Sequence, residues 1–219
     1  MSKIIERLHK ELRPGLKRLG ISQLTDFQAR ALPPLLDSKN VLLASETGTG
    51  KSVAYMISVL DKIYRETHRQ SIINYLKDKG FEFIFNSGRQ ITAYEKNTSM
   101  HGAMILVPNP ELVNHTYKML RCLDSNSLLN IHRTNSMADI AGTARYLVIF
   151  IQSNPEQSED MQRKQGFFNI VNSVNWNILD IVVSTPEHMS NILAHKDAID
   201  PIEVNPSTIV IDECDLLLQ

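Results

Sequence analysis

The chain has few cysteines, one tryptophan, no surplus of either charge and no apolar run long enough to cross a membrane. Cys122 and Cys214 are the only cysteines among 219 residues and stand far apart, with no Cys-x-x-Cys or Cys/His cluster. That excludes a disulfide framework and a zinc site of the usual spacing. Twenty-three Lys and Arg nearly balance twenty-four Asp and Glu. Bulk charge therefore does not mark a nucleic-acid binder, and any such surface must be local. No stretch approaches membrane-span length. The first residues, Met1-Ser2-Lys3-Ile4-Ile5-Glu6-Arg7, lack the apolar core of a secretory signal, and Glu6 and Glu11 argue against a transit peptide. The expectation is a soluble, intracellular protein, with nucleus, cytoplasm and mitochondrion left open. No internal repeat or low-complexity tract appears.

What is present is a core and a phosphate loop. At 42% hydrophobic content the chain can bury a sizeable interior as one domain over residues 1–219. Short apolar runs at Val41–Ser45, Ala103–Val107, Leu128–His132, Leu147–Gln152, Asp180–Ser184 and Thr208–Asp212 read as strands buried on both faces. Helical patterns at Val53–Arg65, Pro110–Leu123, Met137–Tyr146 and Pro186–His195 alternate with them. The alternation predicts an α/β fold, a parallel sheet flanked by helices on both faces. Thr67–His101 is long and mixed, and reads as a helix with an extra strand. The polar, Asn/Gln-rich residues 153–175 read as an insertion; Trp176, Phe167 and Phe168 read as its anchor onto the core, with a stacking platform for bases as the alternative.

Ser45-Glu46-Thr47-Gly48-Thr49-Gly50-Lys51-Ser52 follows one of those apolar runs and opens a helical pattern. This is the setting of a phosphate-cradling loop. Glycines let backbone N–H groups turn inward around phosphate oxygens, Lys51 brings positive charge, and the helix N-terminus faces the anion. Ser52 would place its hydroxyl on Mg²⁺. Ser45 stands where the strict pattern has glycine. A second strand, Ile209-Val210-Ile211, runs straight into Asp212-Glu213-Cys214-Asp215. Such an arrangement supplies a carboxylate, Asp212, for the Mg²⁺ shell through water, and an acid, Glu213, to orient an attacking water. Cys214 reads as a small, buried packing residue.

With both halves in place, the chain resembles the first RecA-like domain of the DEAD-box RNA helicases, in the variant whose box reads Asp-Glu-Cys-Asp. The motifs occur in the family's order. Residues 1–39 contain Leu19-Gly20-Ile21 and Leu24-Thr25-Asp26-Phe27-Gln28, similar to the Q motif, and the resemblance implies that Gln28 reads the adenine edge of ATP. Leu106 to Leu112, with Pro108 and Glu111, resembles motif Ia; Ser184-Thr185-Pro186-Glu187 resembles motif Ib. Both imply contact with an RNA backbone, so the implied ligands are ATP, Mg²⁺ and RNA. The departures are specific. No aromatic residue precedes the Q motif; Pro110 replaces an arginine; Glu187 and His188 replace Gly and Arg; and His132-Arg133 stands where a Gly-Gly pair is expected. Each lost cation weakens phosphate binding.

The family's motif III and second RecA-like domain do not follow Asp215 within these 219 residues. That domain carries the arginine finger, whose loss costs about 10³ to 10⁵ in rate. The resemblance thus implies an ATP-dependent RNA helicase domain that hydrolyses and unwinds weakly alone and needs a second RecA-like domain or a protein partner. The alternative is a non-unwinding scaffold subunit that docks RNA or protein.

Overall fold

The computed structural model describes residues 3–78, 102–124, 180–187, 189–190 and 206–217. The expected elements at Leu128–His132, Met137–Tyr146 and Leu147–Gln152, the insertion at 153–175, residues 79–101, Trp176 and His188 lie outside them.

Helix α1 (Lys3–Arg7) and helix α2 (Leu12–Arg18) realise the apolar spacing of the N-terminus, burying Ile5, Leu8, Leu12 and Leu16. Helix α3 (Asp26–Leu36) begins at a capping box: Thr25 Oγ1 accepts from the Gln28 amide at 3.2 Å, and Gln28 Oε1 accepts from the Thr25 amide at 3.1 Å. Two donors that the helix start would otherwise leave unpaired are satisfied reciprocally. Helix α4 (Lys51–Asp78) starts within the phosphate loop and is longer than the Val53–Arg65 expected, continuing through a mixed stretch that has no Gly or Pro to stop it. Its residues Ala54, Tyr55, Met56, Ile57, Val59, Leu60, Ile63 and Tyr64 are buried almost all round, the pattern of a central helix.

The strands are β1 (Ala103–Leu106), β2 (Ile181–Ser184) and β3 (Thr208–Ile211), parallel and in the order β2-β1-β3. Ala103, Ile181 and Thr208 share one level of the sheet, and Leu106, Ser184 and Ile211 share another. Helix α5 (Pro110–Leu123) follows β1. Asn109 caps it by accepting from the Leu112 amide at 2.9 Å, Pro110 occupies the first turn, and Val113, Thr116, Tyr117, Leu120 and Leu123 form its buried stripe. A short helix α6 (Cys214–Leu217) closes the described chain, and its Cys214 is half-buried rather than enclosed as expected.

One expected strand is corrected. Val41–Ser45 carries no regular secondary structure and no ladder partner among the described residues, and Leu42 is 81% exposed. An apolar run signals that a strand could form but cannot name its neighbour, and a strand exists only through one. Alternation holds in both stretches: Leu43 and, in β3, Val210 pack against the core, whereas Leu42, Ile209 and Ile211 are exposed, the isoleucines 59% and 55%.

Helix α1 is tied to α4 through Asp61, which is buried. Its carboxylate accepts from the His9 amide at 2.6 Å and from Arg65 Nε at 2.5 Å, while Arg65 also donates to the Arg7 carbonyl. The His9 ring stacks on Tyr64, with His68 at its edge, and Nδ1 accepts from the Glu11 amide. Desolvation holds the His9 pKa below its ordinary value; Arg65 and His68 add to the depression, and Asp61 and Glu11 oppose it. A depressed folded-state value means that the unfolded chain takes up the proton first. This contribution to stability is therefore present above the unfolded value near 6.5 and is lost as pH falls through the folded one. Thermal unfolding between pH 7.5 and 5 is expected to show a fall in Tm that is shallower in a His9→Gln variant; equal slopes would refute the role.

Candidate functional site

The parallel sheet delivers its functional residues at one edge, because every strand ends there. Asp212 follows β3, Pro108 lies just beyond β1, and Thr185 follows β2. The backbone ladder continues one step past the strands: the Val107 amide donates to the Ser184 carbonyl at 3.0 Å and the Asp212 amide donates to the Leu106 carbonyl at 2.9 Å.

Within the phosphate loop, Gly48 and Gly50 have φ of 79° and 89°, the left-handed region where a side chain is strained. Gly50 is constrained twice, since a Cβ there would come within 2.3 Å of Gln28 Nε2. That nitrogen donates to the Gly50 carbonyl at 3.3 Å, and Thr25 Oγ1 donates to the Thr49 carbonyl at 3.1 Å. The cap of α3 thus braces the loop from below. Gln28 is 4% exposed, with both ends of its amide engaged by Thr25 and Gly50. The sequence suggested a ligand-reading glutamine; the structure adds a loop-supporting one.

Ser45 Oγ and Thr49 Oγ1 are 2.5 Å apart, and Thr49 Oγ1 donates to the Glu46 carbonyl at 3.0 Å. Lys51 Nζ donates to the Ser45 carbonyl at 2.6 Å and the Glu46 carbonyl at 2.8 Å, so its ammonium spans the loop mouth. Thr47 and Gly48 are exposed at the tip.

The second half meets the first at Asp212. Ser52 Oγ donates to Asp212 Oδ2 at 3.2 Å, joining residues 160 positions apart. The Glu213 amide donates to Asp212 Oδ1 at 3.0 Å, and Glu213 itself is exposed, at φ 48°, in a turn that only a few non-glycine residues tolerate. Lys62 of α4 fixes the other end of β3 by donating to Thr208 Oγ1 at 3.1 Å and the Ser207 carbonyl at 3.3 Å. Hydroxyl and carboxylate are hard oxygen donors suited to Mg²⁺, an ion held by one or two carboxylates together with ligand phosphates rather than by an all-protein cage. Among the described residues there is no cluster of three or more His, Cys, Asp or Glu of metal-binding kind.

The sequence reading missed Tyr55. Its hydroxyl donates to Asp212 Oδ2 at 2.8 Å. Burial, then the adjacent carboxylate, push this phenol above its ordinary pKa, so it stays protonated and can only donate toward Asp212. An aromatic residue on the buried face of a helix gives no sequence signal of such a contact. The motif Ia and Ib residues are unequally placed: Glu111 and Glu187 are exposed, Pro108 and Pro186 half-buried, and Thr185 buried.

A family model described as DEAD/DEAH box helicase matches residues 25–219. The chain belongs to that family. This DEAD-box chain is 27% identical over 205 residues to the ATP-dependent RNA helicase DBP4 of Pyricularia oryzae, covering 93% of the chain and 18% of that protein. It is 24% identical to the probable ATP-dependent RNA helicase ddx27 of Dictyostelium discoideum, covering 97% of the chain and 20% of that protein. The chain therefore spans about a fifth of these relatives. Among solved structures, the RNA helicase Prp28 of Chaetomium thermophilum bound to ADP matches with a TM-score of 0.54 at 16% identity, over 96% of this chain and 38% of that one. That likeness shows the fold, a RecA-like α/β domain. Among the described residues of the DEAD-box chain, no helix is long and apolar enough to cross a membrane.

Proposed function

We propose that this chain is the ATP-binding domain of an ATP-dependent RNA helicase, holding ATP with Mg²⁺ at the loop Ser45–Ser52. The observation that carries the reading is the Ser52–Asp212 hydrogen bond, which joins the phosphate loop to the acid ending β3. In this reading the loop amides of Thr47, Gly48, Thr49 and Gly50 receive phosphate oxygens, Lys51 neutralises them, and Ser52 and Asp212 hold the ion, Asp212 through water. Glu213 orients the attacking water, and Gln28 reads adenine while bracing Gly50. The bound ion supplies charge neutralisation for phosphoryl transfer.

RNA is the proposed second ligand, running past Pro108, Glu111, Thr185 and Pro186 along the strand-end edge. The exposed carboxylates of Glu111 and Glu187 on this edge favour weak binding by the isolated chain. The same carboxylates support a second reading, a scaffold that binds nucleotide without unwinding.

Titration with a fluorescent adenine nucleotide, followed by phosphate-release assays with and without single-stranded RNA, tests both. Glu213→Gln is expected to leave nucleotide affinity within about twofold and to lower turnover by about 10² or more, the scale of general acid–base groups. Turnover that persists in this variant would remove Glu213 from the reaction. Tight nucleotide binding with no turnover even when a second RecA-like domain is supplied would favour the scaffold.

A further inference from the structure

We propose that Tyr55 is a positioning residue for the Mg²⁺ that accompanies nucleotide, acting through the carboxylate of Asp212; this rests on the reading that Ser52 and Asp212 hold that ion. A carboxylate offers about four lone-pair positions. On Asp212 three are taken by donors among the described residues: Tyr55 and Ser52 on Oδ2, at 2.8 and 3.2 Å, and the Glu213 amide on Oδ1, at 3.0 Å. The remaining position is on Oδ1, where a water of the ion's shell can donate.

The three donors are not equally fixed. The Ser52 hydroxyl rotates about a single bond, and the Glu213 amide belongs to an exposed turn at positive φ. Tyr55 is 4% exposed, on the central helix, and Thr116 of α5, also buried, faces its hydroxyl. Of the three, only the tyrosine reaches the carboxylate from the core. It therefore sets which oxygen points inward and which is presented to the ion. Its hydroxyl also draws charge from Oδ2 while leaving Oδ1 the better acceptor. Hydrogen-bonded partners of direct metal ligands are worth about 10- to 100-fold in metal affinity, and a partner acting through a bridging water belongs at the lower end.

The test separates the ion from the nucleotide. A fluorescent ADP analogue is titrated against the full 219-residue chain and its Tyr55→Phe variant, first in chelator and then over a series of free Mg²⁺ concentrations. The variant is expected to match the unaltered chain in chelator and to need about 10-fold more Mg²⁺ to reach half of the ion-dependent gain in affinity. In an Asp212→Asn background, adding Tyr55→Phe is expected to shift the Mg²⁺ midpoint no further. An unchanged midpoint in the single variant, or an equal shift in both backgrounds, would overturn the proposal. Absence of nucleotide binding by the unaltered chain would instead overturn the functional reading beneath it. Circular dichroism checks the fold of the Phe variant. Should that variant not fold, 3-fluorotyrosine placed at position 55 keeps the shape and strengthens the donor, and a Mg²⁺ midpoint that it leaves unmoved counts equally against the proposal.

Discussion

Lys51→Ala is expected to abolish measurable nucleotide binding, with affinity falling by about 100-fold or more. The ammonium of Lys51 lies across the loop mouth, held by the carbonyls of Ser45 and Glu46 at 2.6 and 2.8 Å. A phosphate entering the loop brings negative charge to the same carbonyl-lined ring. Without the lysine those oxygens repel it. Once bound nucleotide covers the loop, the lysine–phosphate pair is shielded from water; removing one partner of such a pair costs roughly 2–5 kcal/mol, and about 3 kcal/mol already corresponds to more than a hundredfold. The folded chain itself should hardly respond, because among the described residues Lys51 Nζ bonds only to exposed loop carbonyls. Equilibrium titration with a fluorescent adenine nucleotide, paired with a thermal melt, separates the two effects. Unchanged affinity would refute the phosphate site; a lost fold would show that Lys51 has a structural duty the geometry does not suggest.

Gly15→Ala is expected to lower stability by about 3 kcal/mol, although alanine is the better helix former. In an open helix the substitution would gain roughly 0.5–1 kcal/mol. Here Gly15 is where α2 crosses the end of α5, and a Cβ would meet the backbone of Leu123, with its carbonyl oxygen and carbon and its Cα all within 2.6 Å. Backbone cannot rotate aside as a flexible side chain can. The end of α5 is also pinned: the Asp124 amide donates to the Leu120 carbonyl at 2.8 Å, and Tyr64 donates to Asp124 Oδ1 at 2.7 Å. Overpacking a closed core costs about 1–3 kcal/mol and occasionally more, and contact with immovable backbone belongs at the upper end. For a domain of this size that is about 6–12 °C in Tm. A thermal scan of the variant decides it, and an unchanged or raised Tm would mean that α2 and α5 separate freely.

These two predictions differ in how far the sequence reveals them. Lys51 and Ser52 sit in one contiguous loop, and Asp212 and Glu213 end one strand, so local pattern suffices to find them. Ala103–Leu106, Ile181–Ser184, Thr208–Ile211 and the Pro110–Leu123 helix were legible for the same reason: period and punctuation are local properties. Gly15, Tyr55 and the brace from Gln28 to Gly50 are not local. Each depends on a contact between elements distant in sequence, and nothing in the residues around Tyr55 distinguishes a phenol aimed at Asp212 from an ordinary core aromatic. Val41–Ser45 fails in the opposite direction. Its apolar pattern is real, yet the sheet order gives it no partner among the described residues, and Leu42 faces outward.

The ladder's extension past the strand ends has a consequence for mutational mapping. Ser184 carbonyl to Val107 amide, and Leu106 carbonyl to Asp212 amide, join the roots of all three functional loops through main-chain atoms. Alanine scanning removes side chains and leaves these atoms in place. A scan along this edge can therefore report every side-chain contribution and still register nothing of the link that holds the loops in step; replacing the amide of residue 107 or 212 by an ester is the perturbation that reaches it.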